Sequence, residues 1–112
     1  MAVPSVYGLP APLSVLYNKI AMWTVYLLQH AVTKERYIGR TDNLEQRLRD
    51  HNSGHQDATR RLSGQWKLIY CEQYLDKRDA VKREHRLKHH GSAKHELYKR
   101  LQFSLETESG AG

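Results

Sequence analysis

Two short β-prone segments lie close together in this chain, and their spacing limits what it can fold into. Residues 23–29 (Trp-Thr-Val-Tyr-Leu-Leu-Gln) are rich in aromatic and branched side chains, as strands commonly are. A second such segment, Glu35–Arg40, closes with Gly39. Residues 30–34 leave room only for a turn, so the two strands are expected to form an antiparallel hairpin.

Each of these strands carries a tyrosine, Tyr26 in the first and Tyr37 in the second. Side chains alternate between the two faces of a strand, so the register of the hairpin decides whether the hydroxyl groups meet. A register in which paired residue numbers sum to an odd value of about 63–65 places both on one face. The alternative interpretation is that both are ordinary strand tyrosines at the wet edge of a core.

A helix is expected directly after the hairpin. Asp42 and Glu45 have the spacing of a capping box, in which the Asp42 side chain accepts a hydrogen bond from the Glu45 amide. The helix should run from about Asn43 to Asn52 and end at Gly54, which suits a left-handed cap. Residues 55–64 then read as a basic loop. One face of the helix is expected to carry Leu44, Leu48 and His51.

The second half of the chain predicts one more strand and two more helices. The strand is Trp66–Tyr74, followed by a helix that Asp76 caps and that runs to His90, stopped by Gly91. A last helix should run from Ser92 to about Phe103. Along the strand, Trp66, Leu68 and Tyr70 alternate with Lys67, Ile69 and Cys71. The buried side of the last helix should carry Leu97, Tyr98 and Leu101.

The resulting order, β-β-α-β-α-α, predicts an α+β fold class: a small three-stranded antiparallel sheet flanked by helices. Residues 22–103 form the expected domain. Residues 1–21 hold all three prolines and a single charge, which indicates a flexible extension, and residues 104–112 read as a disordered tail. Met22 directly precedes the first strand and is a candidate start of translation.

The charge balance points to a class of partner. Eighteen Lys and Arg residues face twelve Asp and Glu residues, for a net charge of +6, and almost all of these charges lie within residues 22–103. A small basic domain is suited to a polyanion such as nucleic acid, although charge can also serve solubility alone. The single cysteine, Cys71, excludes an internal disulfide and favours a reducing, cytoplasmic location. No apolar run is long enough for a membrane span.

Three polar residues stand out on the predicted helices. Arg47 and His51 are four positions apart and therefore neighbours on the first helix, where Arg47 is either a phosphate clamp or an ordinary solvated arginine. Glu84 interrupts the apolar spacing of the second helix, which Ala80 and Leu87 otherwise continue. A buried carboxylate needs a partner, so an arginine, a tyrosine hydroxyl or a metal ion should lie beside it.

The histidines at the end of the second helix do not form a zinc-protease motif. That motif places a glutamate between two histidine ligands, whereas Glu84 precedes both His85 and His89. We therefore expect these histidines, with His90 and His95, to belong to a basic solvated face.

The joint spacing of these residues resembles the GIY-YIG nuclease family. Thr24-Val25-Tyr26 stands where that family has its first motif, and Tyr37-Ile38-Gly39 matches the second, eleven positions further on. The continuation through Arg47, His51 and Gly54 is similar to the family's strand-to-helix signature. Trp66–Tyr70 and the helix with Glu84 also match small bacterial-type members. The resemblance covers residues 23–90, and within the first motif it departs from the family in having Thr-Val for Gly-Ile.

This resemblance implies a metal-dependent DNA endonuclease, with roles for particular residues. Glu84 is expected to hold one Mg²⁺ or Mn²⁺ ion, a hard cation that prefers oxygen ligands. Tyr37 would activate water and Arg47 would stabilise the phosphoryl oxygens, while His51 would relay protons or hold Tyr26. The implied catalytic residues are Tyr26, Tyr37, Arg47, His51 and Glu84. The expected DNA-binding residues are Arg40, Thr59, Arg60 and Arg61.

The expected setting is DNA repair, recombination or the processing of structured DNA, with DNA as the partner and no membrane. Larger members of the family carry additional DNA-binding domains, and this chain shows only the catalytic module. Three alternatives for its specificity follow: specificity for the structure of the DNA, slight specificity, or specificity supplied by a partner protein. Two other interpretations stay open. One is a nucleic-acid-binding module that keeps the fold without turnover. The other is an adaptor protein whose charge only aids solubility.

Overall fold

The computed structural model describes residues 22–108, so the extension predicted over residues 1–21 and the end of the predicted tail lie outside the described part. The elements, in chain order, are strand β1 (Trp23–His30), strand β2 (Arg36–Thr41), helix α1 (Leu44–Ser53), a 3₁₀ helix (Asp57–Leu62), strand β3 (Trp66–Tyr74), helix α2 (Lys77–His89), helix α3 (Gly91–Arg100) and helix α4 (Gln102–Glu108).

The three strands form one antiparallel sheet in the order β2-β1-β3. This arrangement confirms the predicted α+β class with a three-stranded antiparallel sheet. In the hairpin, Tyr26 pairs with Gly39 and Leu28 pairs with Tyr37, so the paired numbers sum to an odd value. Tyr26 and Tyr37 therefore share a face, as the odd register predicts.

The central strand is buried on both faces because each face of the sheet has its own helical cover. On one face, Val25 and Leu27 of β1 pack with Ile38 against buried side chains of the last three helices, namely Ala80, Leu87, Leu97 and Leu105. On the other face, Tyr26 and Leu28 pack with Trp66 against side chains of α1 and the 3₁₀ helix. Each apolar surface removed from water in this way stabilises the fold.

The alternation predicted for β3 is broken by a bulge. Leu27 pairs with Tyr70 and Leu28 pairs with Leu68, so Ile69 is the extra residue between them. As a result Ile69 and Tyr70 both pack against the same core, while Leu68 is 40% exposed. Sequence alternation alone does not reveal an inserted residue of this kind.

Several predicted helix boundaries were wrong. Asn43, not Asp42, caps α1, and its side chain accepts a hydrogen bond from the Gln46 amide. The first turn therefore begins one residue later than a capping box at Asp42 would require. Gly54 does end the helix, with a φ of 82°, which confirms the predicted left-handed cap.

The region after α2 also differs from the prediction. His90 ends α2, and Gly91 is the first residue of α3 rather than a stop signal. The single predicted last helix is interrupted at Leu101, which separates α3 from α4, and α4 extends into the segment expected to be a tail. Residues 57–62 form a 3₁₀ helix where a loop was expected. Asp76 caps α2 as predicted.

Gly39 lies inside β2 instead of closing it, and its position explains why this residue is a glycine. A Cβ atom at this position would lie 2.5 Å from the Tyr26 hydroxyl oxygen and 2.8 Å from a ring carbon of Tyr37. Both distances are shorter than any stable contact. The backbone of β2 therefore passes directly against the two tyrosine rings.

We expect Gly39→Ala to displace at least one tyrosine ring and to lower the free energy of unfolding by about 1–3 kcal/mol, as overpacking commonly does. Urea denaturation measures this change. Gly91→Ala is the matched control, because a Cβ at Gly91 meets nothing within 4 Å. Its effect should stay within about 1 kcal/mol of zero, and an equal loss in both variants would contradict the steric explanation.

Candidate active site

The two motif tyrosines meet on the α1 side of the sheet. Their ring centroids lie 6.1 Å apart, and Tyr26 is buried whereas Tyr37 is half-buried. Tyr37 is therefore the tyrosine that a substrate can reach. Tyr26 lies deeper, where its hydroxyl needs a partner within the protein.

That partner is His51, which α1 carries into the core. The Nε2 atom of His51 lies 2.8 Å from the Tyr26 hydroxyl oxygen, and its Nδ1 atom lies 2.6 Å from Oγ1 of Thr59. The His51 ring is fully buried and also contacts the ring of Tyr37, with centroids 4.8 Å apart. Both ring nitrogens thus have partners, and the chain Thr59–His51–Tyr26 runs from the 3₁₀ helix to the central strand.

The orientation of α1 is held at its end by Asn52. The Asn52 side chain donates to the Trp66 carbonyl (3.1 Å) and accepts from the Trp66 amide (2.7 Å), so it pairs with the first residue of β3 as a further strand would. On α1, Leu44 and Leu48 pack against the buried cluster of Tyr26, Leu28 and Trp66. His51 is consequently placed by contacts on both sides of it along the helix.

Burial keeps His51 neutral. Loss of water around the ring lowers the pKa of His51 to about 4, and the nearby Arg47 guanidinium lowers it further than the Asp50 carboxylate can raise it. Burial also raises the pKa of Tyr26 above its usual range, with a contribution from Tyr37. At neutral pH the pair is therefore a protonated phenol beside a neutral imidazole, in which one ring nitrogen donates a hydrogen bond and the other accepts one.

Glu84 enters the site from α2, on the other side of strand β2. Its side chain is 12% exposed, and both carboxylate oxygens are engaged. Oε1 lies 2.5 Å from Nη1 of Arg40, and Oε2 lies 3.2 Å from Nζ of Lys88. Of the three kinds of partner expected for this carboxylate, the structure shows an arginine, joined by a lysine.

Because β2 is an edge strand, groups from its two faces meet beside it. The ammonium group of Lys88 pairs with Glu84 and also lies 5.6 Å from the centre of the Tyr37 ring. Arg47 is half-buried on α1, close enough to influence the pKa of both Tyr26 and His51. The five residues singled out from the sequence therefore converge on one edge of the sheet.

Glu84 is the only one of these side chains that offers a carboxylate to a metal ion. Within residues 22–108 there is no group of three or more His, Cys, Asp or Glu side chains arranged around a common point. A single carboxylate fits Mg²⁺ or Mn²⁺, which keep most of their water ligands and take others from a substrate phosphate. An ion held there would compete with Arg40 and Lys88 for the Glu84 carboxylate oxygens.

The loop expected to contact DNA lies differently from its prediction. Thr59 is buried, and its hydroxyl is used by His51. Arg60 pairs with Asp57 at 2.6 Å, and Arg61 pairs with Glu35 at 2.8 Å, although both arginines are exposed. The side chain of Thr59 is thus directed into the protein, while the two arginines remain at the surface.

Sequence reasoning missed Lys88 and the inward role of Thr59. Lys88 follows Glu84 by four residues on one helix, a spacing that predicts an ion pair and was available from the sequence. Thr59 carried no such signal, because its position depends on the 3₁₀ helix that replaces the expected loop.

Comparison with known proteins agrees with this geometry. The family model described as the GIY-YIG catalytic domain matches residues 22–101. The chain belongs to the GIY-YIG family. Its domain is that of the GIY-YIG endonuclease superfamily, as the sequence resemblance predicted, and members of this family generally use divalent metal ions.

Three bacterial relatives, each named only as a UPF0213 protein, are similar to part of the chain. The relative from Clostridium perfringens is 39% identical over 64 residues, which cover 57% of this chain and 68% of the relative. The one from Oceanobacillus iheyensis is 33% identical over 57% of this chain and 73% of its own length. The one from Lactiplantibacillus plantarum is 41% identical over 51% of this chain and 58% of its own length.

No solved structure matches this chain. Among the helices of residues 22–108, none has both the length and the apolar character required to cross a membrane.

The neutral state of His51 makes stability depend on pH in a defined window. An exposed histidine titrates near about 6.5, above the folded pKa of about 4. Between these values the unfolded chain binds a proton that the folded chain does not. The stability that neutral His51 contributes is therefore present above the upper value and is lost as the pH falls toward the lower one, by up to about 1.4 kcal/mol per pH unit.

We expect the stability difference between the wild-type protein and His51→Gln to shrink as the pH falls from 7 toward 4.5, measured by urea denaturation. Comparison with the variant removes the contribution of carboxylates common to both proteins. His55→Gln is the control, because His55 is exposed and its removal should leave the pH profile unchanged. A constant difference for His51→Gln would contradict the lowered pKa, because it would mean that the ring binds its proton equally well in the folded and unfolded protein.

Proposed function

We propose that this protein is a metal-dependent DNA endonuclease that hydrolyses a phosphodiester bond by in-line attack of water, in DNA repair, recombination or the processing of structured DNA. The observation that carries the proposal is the buried Tyr26–His51 hydrogen bond behind the accessible Tyr37. A structural core does not need a phenol–imidazole pair in contact with a half-exposed second tyrosine. A site that accepts a proton from water does.

Tyr37 is the proposed residue that orients and deprotonates the attacking water. A free tyrosine titrates near about 10, so it needs cationic neighbours or a hydrogen-bonded relay to act near neutral pH. The Lys88 ammonium group lies 5.6 Å from the centre of its ring, and the centre of the His51 ring lies 4.8 Å from the same point. His51 would hold the Tyr26 hydroxyl in place beside Tyr37 through its hydrogen bond, and Thr59 is a positioning residue that fixes the His51 ring.

Glu84 is the proposed ligand of one Mg²⁺ or Mn²⁺ ion, which when bound would supply positive charge to the phosphate and to the leaving 3′ oxygen. Arg47 is proposed to stabilise charge on the phosphoryl oxygens. The backbone of DNA would be contacted by Arg40, Arg60 and Arg61. A DNA phosphate would offer the Arg40 guanidinium a second anion. It would therefore compete with Glu84 for Arg40 and leave the Glu84 carboxylate available to the metal ion.

The second candidate is a nucleic-acid-binding module that has kept this fold without turnover. It is supported by the full ion pairing of Glu84, which is a stable arrangement without any metal. Cleavage of a labelled panel separates the two candidates. The panel contains single strands, duplexes, flaps, branched junctions and an RNA strand, each with Mg²⁺, Mn²⁺ or EDTA. Binding without cutting on every substrate would favour the module.

We expect Glu84→Gln to abolish cleavage and to leave binding of DNA in EDTA largely intact, because it removes one carboxylate without removing a positive charge. Filter binding and gel-resolved cleavage measure the two properties. Glu72→Gln is the matched control: Glu72 is also a half-buried carboxylate, held by Arg83, Tyr70 and Tyr74. It should lose stability but retain cleavage. Metal-dependent cutting by Glu84→Gln would remove Glu84 from the mechanism.

We expect Arg47→Ala to lower the rate of cleavage at saturating DNA on the order of 10²-fold, as the loss of one charge donor in a transition state does. Arg49→Ala is the control on the same helix, since Arg49 is exposed and pairs with Glu45. Single-turnover kinetics compare the two. Equal rates in both variants would place Arg47 outside the reaction.

A further inference from the structure

Helix α2 holds more positive charge than the site uses. Six of its thirteen residues are Lys or Arg, against two acidic residues. Four of the six have a partner close by. These pairs are Lys77 over the ring of Trp23, Arg78 with Asp76, Arg83 with Glu72, and Lys88 with Glu84.

The other two cations, Lys82 and Arg86, form no ion pair or ring contact with any residue between 22 and 108. Both are exposed and lie four residues apart, so they share the outer face of α2. His85 and His89 are exposed on the same face, and their ring centroids lie 4.4 Å apart. This outer face therefore combines two unneutralised charges with two imidazole donors.

The outer face is continuous with the candidate active site. Lys88 lies one helical turn beyond His85, and it is the residue that contacts both Glu84 and the ring of Tyr37. From Lys82 to His89 the helix rises by about 10 Å, which equals about three base-pair rises of a duplex. A strand whose scissile phosphate lies at Glu84 would therefore meet the outer face within a few nucleotides.

A groove beside this face adds a concave surface. Its volume is about 580 Å³, and its walls include Lys82, Arg86, Arg83 and His90. Among the described residues that line it, Asp79 is the single carboxylate. The described lining thus carries three cationic side chains, Lys82, Arg83 and Arg86, against one carboxylate.

We propose that the outer face of α2, defined by Lys82, His85, Arg86 and His89, binds the phosphate backbone of the nucleic acid to one side of the cleaved bond. The inference rests on the proposed nuclease function and deepens it, because it names where the substrate continues beyond the site. The competing explanation is a solvated face. It is disfavoured because the other four cations of the same helix are neutralised or stacked, whereas these two are kept free.

Binding is tested with the double variant Lys82→Gln/Arg86→Gln, using fluorescence anisotropy of a labelled duplex in EDTA over a series of salt concentrations. Each phosphate contact contributes about 0.9 to the slope of log K against log salt. We expect the slope to fall by about 1–2 and affinity to weaken at least severalfold. Cleavage at saturating DNA should be unchanged while KM rises, because the variant removes binding without touching the reacting groups.

Lys94→Gln/Lys99→Gln is the matched control. It removes two positive charges from α3, so it changes the net charge by the same amount but leaves the outer face of α2 intact. Its slope of log K against log salt should equal that of the wild-type protein. Neither double variant removes a buried contact, and thermal denaturation checks that both fold.

The outcomes separate the two proposals. If the wild-type protein shows no salt-dependent binding, both the nuclease function and this surface are wrong. If it binds and cleaves, but both double variants lower the slope equally or not at all, the surface on α2 is wrong and the nuclease function stands. Only a loss confined to Lys82→Gln/Arg86→Gln supports the inference.

Discussion

The hydrogen bond between Tyr26 and His51 joins the central strand to the first helix, and the site is built around it. Both groups are buried, so each would be costly without the other. The bond requires Tyr26 to face α1, which the odd register of the hairpin provides, and it requires Gly39 opposite, because no larger residue fits against the tyrosine rings. A single buried polar contact thus links the strand register, the glycine of the second motif and the placement of the helix.

The two faces of the sheet are covered by different kinds of side chain. On the side of α2, α3 and α4 the core is aliphatic and serves stability. On the side of α1 the cover includes polar groups, with Thr59 and Asn52 holding α1 against its neighbours. Strand β2 lies at the edge of the sheet. Beside it, the polar groups on the α1 face meet the charged side chains of α2, which covers the other face. At this edge Lys88 contacts both Glu84 and the ring of Tyr37, so polar groups from the two faces of the sheet meet there.

Local rules predicted most of the fold, and long-range contacts account for what they missed. The cap at Gly54 follows from neighbouring residues, which is why sequence alone located it. The shared face of the tyrosines depends on the register of the hairpin, which the sequence left open between two alternatives. The bulge at Ile69 depends on how β3 aligns with β1, and the pair between Arg40 and Glu84 joins residues 44 positions apart. No periodicity encodes either one. The need of Glu84 for a partner was predictable from its place on an apolar stripe, but the partner's identity was not.

The net charge of +6 says little about where a polyanion would lie, because most of the Lys and Arg side chains within residues 22–108 already have a partner. The exposed arginines of the 3₁₀ helix look like the obvious contact in the sequence, yet Arg60 and Arg61 each pair with a nearby carboxylate. A phosphate binding there must displace an existing partner, whereas at Lys82 and Arg86 it displaces only water and counterions. Exposed ion pairs are weak, so a phosphate can displace the carboxylate from Arg60 or Arg61. The unpaired cations Lys82 and Arg86 offer a larger gain in binding free energy for each phosphate contact. Pairing, rather than composition, therefore decides which basic residues are available to a substrate.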